Sequence, residues 1–99
     1  HSLDVCKFIE IFFENPKKAQ VYNLGGGYDN SCSILEAMEL IENKTKIKFR
    51  YKHNIQNRVG DHICYYSNLS KIKKDYPKWK ITLPLNEIID QIIHGWSSR

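Results

Sequence analysis

Ninety-nine residues, 41% of them apolar, make one domain or part of one, with a composition that is globular and not disordered. Fifteen basic against eleven acidic residues leave a net charge of +4, a mild balance that attracts anions of any kind, whether phosphate, nucleic acid or acidic lipid. No stretch approaches the ~20 apolar residues of a membrane span, and none reads as a signal peptide.

Helix signals begin almost at His1, as expected of a piece of a longer protein. Residues 3–14 read as a helix, with Ser2 as its cap and Asp4 in the first turn, where a negative charge suits the helix dipole. Val5, Phe8, Ile9, Phe12 and Phe13 form one wide apolar stripe, and Asn15-Pro16 ends the helix. Residues 20–24, QVYNL, read as a short strand broken by Gly25-Gly26-Gly27. Ser33 and Glu36 make a capping box that opens a second helix, with Ile34, Ala37, Met38 and Ile41 on one face. In residues 47–52, IKFRYK, Ile47, Phe49 and Tyr51 alternate with Lys48, Arg50 and Lys52, the pattern of a half-buried strand. Residues 53–61 read as a loop and ICYY as extended. Ser67 or Asn68 caps a short helix that stops at Pro77. Thr82 caps the last helix, with Pro84 in its first turn and Leu85, Ile88, Ile89, Ile92, Ile93 and Trp96 as its core stripe. The predicted order is α-β-α-β-β-α-α.

Three irregularly spaced cysteines, Cys6, Cys32 and Cys64, make no disulfide framework and point to a reducing cytoplasm. The triple glycine lacks the following Lys-Ser/Thr of a phosphate loop and the spacing of a dinucleotide loop, so a tight turn is its simpler reading. His53, His62 and Cys64 match no zinc spacing, and Cys64 has no partner base that would make it a nucleophile. Alternation in 47–52 sets aromatics and cations on opposite faces, which argues against a nucleic-acid stacking platform.

Arg58 and Asp61 are the informative pair. An arginine fork grips two phosphate oxygens at once, an aspartate accepts from ribose hydroxyls, and a tyrosine such as Tyr65 stacks on a base or donates to it. The competing reading is a surface salt bridge across a turn, worth little. Spacing alone does not separate the two.

In their order, HSLDV, VYNLGGG, NSCSILEAMELIE, NRVGDHICYYSNLSK and LNEIIDQIIHGW resemble the C-terminal portion of the NAD-dependent epimerase/dehydratase family, the extended short-chain dehydrogenase/reductases. The NSCSILEA stretch and the GDHICYYSNLSK and YPKW segments are most similar to the branch of CDP-paratose and CDP-tyvelose 2-epimerases. The resemblance implies an α/β fold: residues 1–27 as the end of a Rossmann-type dinucleotide-binding layer and 28–99 as the smaller substrate-binding lobe. It implies that Arg58 contacts the diphosphate of a CDP- or UDP-linked sugar, that Asp61 contacts the ribose, and that Tyr65 lies near the base. It implies NAD in the intact parent enzyme, where hydride leaves the sugar and returns to its other face. The family's glycine-rich NAD loop and Tyr-x-x-x-Lys pair are not among these residues, so no catalytic residue is assigned here, and an N-terminal NAD-binding domain is the expected partner. The chain departs from the family at Asn68, where many relatives carry aspartate, and at Tyr76-Pro77-Lys78-Trp79, which fits the CDP-sugar branch better than the commoner Leu-Gly-Trp-x-Pro. The apolar stripe of helix 3–14, left without sheet neighbours, predicts self-association. A nucleotide-binding module without chemistry and a basic nucleic-acid-binding domain remain the two other readings.

Overall fold

A computed structural model of the chain describes residues 1–56 and 58–98. Among them stand four helices, α1 (Ser2–Glu14), α2 (Ile34–Thr45), α3 (Ser70–Asp75) and α4 (Leu85–Ser97), and no strand. The α/β architecture expected from the sequence is therefore corrected to an all-helical one. None of the three expected strands forms: ICYY (63–66) has no ladder partner, and in 20–24 and 47–52 side chains, and not a neighbouring strand, take up backbone groups. The Val21 carbonyl accepts from Lys71 Nζ at 2.9 Å. The Phe49 amide donates to Glu42 Oε1 at 2.7 Å, while Lys48 Nζ holds Glu42 Oε2 at 2.6 Å. Alternation makes a strand only when a ladder partner is present. Without one, Ile47, Phe49 and Tyr51 are exposed instead of buried.

The predicted α1 forms, but His1 caps it and Ser2 does not: His1 Nδ1 accepts from the Leu3 amide at 3.0 Å. Asp4 does more than complement the dipole. It is buried, and its carboxylate accepts from the Thr82 hydroxyl (2.6 Å), the Thr82 amide (3.0 Å) and the Leu83 amide (3.1 Å). Thr82 is thus engaged by α1 and does not cap α4. The first amide of α4 is met from afar, by Asn30 Oδ1 at 3.1 Å from Leu85 N.

One turn beyond Asp4, Phe8 enters the core with Leu69, Ile72, Tyr76 and Trp79. Its ring meets Tyr22, Tyr76 and Trp79 edge-on, with centroids 5.7, 5.4 and 6.0 Å away. Such edge-to-face pairs add to area burial when each polar tip finds a partner. Here each does: Trp79 Nε1 donates to the Asp4 carbonyl (2.9 Å), the Tyr76 hydroxyl to the Asn15 carbonyl (2.9 Å) and the Tyr22 hydroxyl to Asp75 (2.7 Å). These contacts join residues 1–27 to 67–83. The apolar stripe of α1 divides accordingly. Phe8, with Ile11 and Phe12 beside it, faces the core, while Val5, Ile9 and Phe13 stay exposed.

α2 opens on the predicted capping box, with Glu36 N donating to Ser33 Oγ (3.2 Å) and Ser33 N to Glu36 Oε2 (2.7 Å). It packs against α4, and Lys44 bridges to Asp90 at 2.7 Å. Within the α4 stripe, Ile89 is buried, whereas Ile92 and Trp96 lie on the surface. α3 starts without a side-chain cap on its Leu69 N-cap, though Asn68 Oδ1 accepts from the Ser70 amide at 2.9 Å. The assembly is open. Its radius of gyration is 17.0 Å, against about 13 Å for a compact domain of this length. Its accessible surface is 8818 Å², against roughly 5,900 Å² for a compact monomer of this mass.

Two measurements check this core. Phe8→Ala lowers unfolding free energy by about 3–5 kcal/mol while Phe13→Ala changes it by less than about 0.5 kcal/mol, read by urea denaturation. Burial alone would raise the Asp4 carboxyl, but bonds from the Thr82 hydroxyl and the Leu83 and Thr82 amides, with Lys7 nearby, outweigh it and hold the group below its ordinary 3.8. Because the folded value is the lower one, the stabilisation is complete above 3.8 and is lost as pH falls through the folded value. Asp4→Asn, which turns one acceptor oxygen into a donor facing N–H groups, costs about 2 kcal/mol at pH 7, and the variant loses less further stability than the parent between pH 5 and pH 3.

Candidate functional site

The loop after α2 turns sharply at 58–61. Gly60 sits at φ +86, a left-handed conformation suited to glycine, with open space around it. The Asp61 amide closes the turn onto the Arg58 carbonyl at 3.2 Å. This brings the two candidate side chains together, with Arg58 Nε donating to Asp61 Oδ2 at 3.1 Å. The pair is the surface ion pair that the spacing allowed. It also leaves the Arg58 side chain 88% exposed, with its two terminal nitrogens unbonded among the described residues.

Tyr65 is exposed, and its ring stands 6.3 Å from that of His62. It lines an open groove of about 740 Å³ with Tyr28, Ile34, His62, Cys64 and Tyr66. Arg58 and Asp61 do not line this groove. Tyr28 and Tyr66, which sequence reasoning passed over, meet edge-on across it with centroids 5.3 Å apart. What joins them is the triple glycine. The Gly27 amide donates to Ser67 Oγ at 3.0 Å, and Gly27 takes φ +69. A methyl group on Gly25 would run into the Ser67 side chain. Sequence distance hid the Tyr28–Tyr66 pair, since nothing local links positions 28 and 66. The available signal was that one aromatic directly follows Gly27 and another directly precedes Ser67.

The glycines are taken up by the chain itself. A Cβ on Gly26 would lie 2.8 Å from the Asn30 carbonyl oxygen, and Gly25 is filled in by Ser67. The chain's own atoms leave no room for a ligand directly against Gly25 and Gly26, so these two glycines do not fit the close backbone approach that NAD needs. His53, His62 and Cys64 do not converge, and among the described residues no three metal-ligating side chains group together. The three cysteines are free and exposed. In residues 47–52 the aromatics and cations are no longer held on opposite faces of a strand, which removes the argument that alternation made against a stacking platform.

Other perturbed groups are structural. Burial, and then the bond to Asp75, push the Tyr22 phenol up, and the bond from Tyr22 is the main cause holding Asp75 down. Comparison with protein-family models, with curated proteins and with solved structures finds no match for this chain. Among the described residues, no helix is long and apolar enough to cross a membrane.

An exposed pair of this kind contributes about 0.2–1 kcal/mol at most. Arg58→Ala and Asp61→Ala therefore each leave the thermal midpoint within a few degrees of the parent, as measured by circular dichroism.

Proposed function

We propose that this chain grips the nucleotide end of a sugar nucleotide, as the substrate-binding part of an NAD-dependent epimerase that acts on a CDP-sugar in the cytoplasm. The exposed Arg58 fork carries the proposal. It is anchored on a glycine turn beside a carboxylate, and the tyrosine-lined groove begins a few residues further on. Arg58 is the phosphate clamp, because a guanidinium with free terminal nitrogens offers two parallel donors to phosphate oxygens. Asp61, released from Arg58 as phosphate takes its place, accepts from the ribose hydroxyls. Tyr65 contacts the base with its exposed ring face. The 58–66 loop supports this reading and the sheet, which does not form, contributes nothing to it. Three free, exposed cysteines suit a reducing compartment. No residue of the chain is assigned a catalytic step, and a nucleotide-binding module without chemistry would use the same three side chains.

Amide NMR titration with CDP, against UDP and a short single-stranded oligonucleotide, tests the proposal. CDP is expected to shift the amides of residues 58–66, and Arg58→Ala to weaken it by about tenfold or more, the worth of a charge-assisted bond. A dispersed spectrum that CDP leaves unchanged overturns the reading. Salt-sensitive oligonucleotide binding that is lost when Lys48, Arg50 and Lys52 are neutralised would put the nucleic-acid reading in its place.

A further inference from the structure

Next to the tyrosine groove, and sharing Tyr28, Asp29 and Tyr66 with it, lies a second hollow of about 530 Å³. Segments 26–30 and 66–70 form its sides, clasped by the Gly27–Ser67 bond, and Lys73, Lys80 and Ile81 complete its lining. The two lysines are its distinctive feature. Lys7, Lys17, Lys44, Lys48 and Lys71 each reach an acid, a hydroxyl or a carbonyl. The side chains of Lys73 and Lys80, like those of Lys18, Lys46, Lys52, Lys74 and Lys78, have no ion-pair or hydrogen-bond partner among the described residues; these two differ in lining the hollow, and both sit on fixed backbone. Each directly follows a buried core residue, Ile72 and Trp79 respectively.

The remaining polar groups suit an anion with a ring attached. Ser67 is buried, and its oxygen accepts from Gly27, so its hydroxyl proton is left to donate. Asn68 uses its oxygen on the Ser70 amide, which leaves its NH₂ as a donor. Tyr28 and Tyr66 supply aromatic surface. Asp29 is the one carboxylate of the lining; it opposes a phosphate placed beside it and suits sugar hydroxyls. Two unpartnered cations against one carboxylate leave the hollow net positive.

We infer that this hollow binds the phosphate groups of a nucleotide, with Lys73 and Lys80 as its cations and the Tyr28–Tyr66 pair beside the ring-bearing end. The inference rests on the nucleotide reading for the class of ligand and not for its location.

The test titrates the full chain with pyrophosphate and with CDP, in the parent, in Lys73→Gln/Lys80→Gln, and in Lys74→Gln/Lys78→Gln, a charge-matched control outside the hollow. All four lysines are exposed, so folding is not at stake. Both probes are expected to shift the amides of 26–30 and 66–70. The Lys73/Lys80 variant should bind them about tenfold or more weakly, with the control pair within about twofold. If pyrophosphate binds there and CDP binds no tighter, the phosphate hollow stands and the nucleotide reading falls. If CDP perturbs only 58–65 and the Lys73/Lys80 variant is unaffected, the hollow is overturned and the nucleotide reading stands. Equal losses in both lysine variants, or no binding of either probe, overturn the hollow as well.

Discussion

The carboxylate of Asp4 is the constraint on which the rest of the fold depends. A charged group buried in the first turn of a helix must find donors, or its desolvation is not recovered. The donors are the hydroxyl and amide of Thr82 and the amide of Leu83. Meeting them obliges the chain to return to the N-terminus of α1 after nearly eighty residues. That return sets Trp79 under α1, where its indole reaches the Asp4 carbonyl, and brings Tyr76 against Phe8 one turn further along. A polar tie and an aromatic cluster thus reinforce each other between the two ends of the chain.

Elsewhere, side chains meet backbone needs that a sheet would otherwise meet. Asn30 supplies the oxygen for the first amide of α4, Glu42 holds the segment leaving α2, and Ser67 closes the glycine turn. Each of these is a single bridge in place of a ladder. The result is an open molecule with a small core and much apolar surface left in water. The same openness creates the two adjoining hollows. Segments 26–30 and 66–70 meet at the Gly27–Ser67 bond and the Tyr28–Tyr66 ring pair, and space remains on either side.

Arg58 and Asp61 show how one geometry serves two readings. The ion pair engages Arg58 Nε and one Asp61 oxygen and leaves the terminal guanidinium nitrogens open, at little cost or gain in stability because the pair is solvent-accessible. A phosphate competes for the same guanidinium with better geometry and more charge. An exposed, weak pair is therefore compatible with a binding role, and affinity distinguishes the two readings where stability does not.

Local forces wrote α1, α2 and α4 plainly into the sequence. Apolar spacing at three and four residues and the Ser33–Glu36 capping box act within one turn, so their outcome needs no knowledge of the remaining chain. The turn at 58–61 was legible for the same reason, since Gly60 permits it and Arg58 and Asp61 face each other across it. Other features were decided by tertiary structure alone. The alternation in 47–52 is compatible with a strand, but a strand exists only with a neighbour, and in the fold the Phe49 amide donates to Glu42 instead. Asp4, Ser67 and Thr82 carry the chemistry of helix caps, and distant partners claimed all three. The meeting of Tyr28 with Tyr66, and the shared hollow that both line with Lys73 and Lys80, depend on closing a loop of some forty residues, which no local pattern encodes.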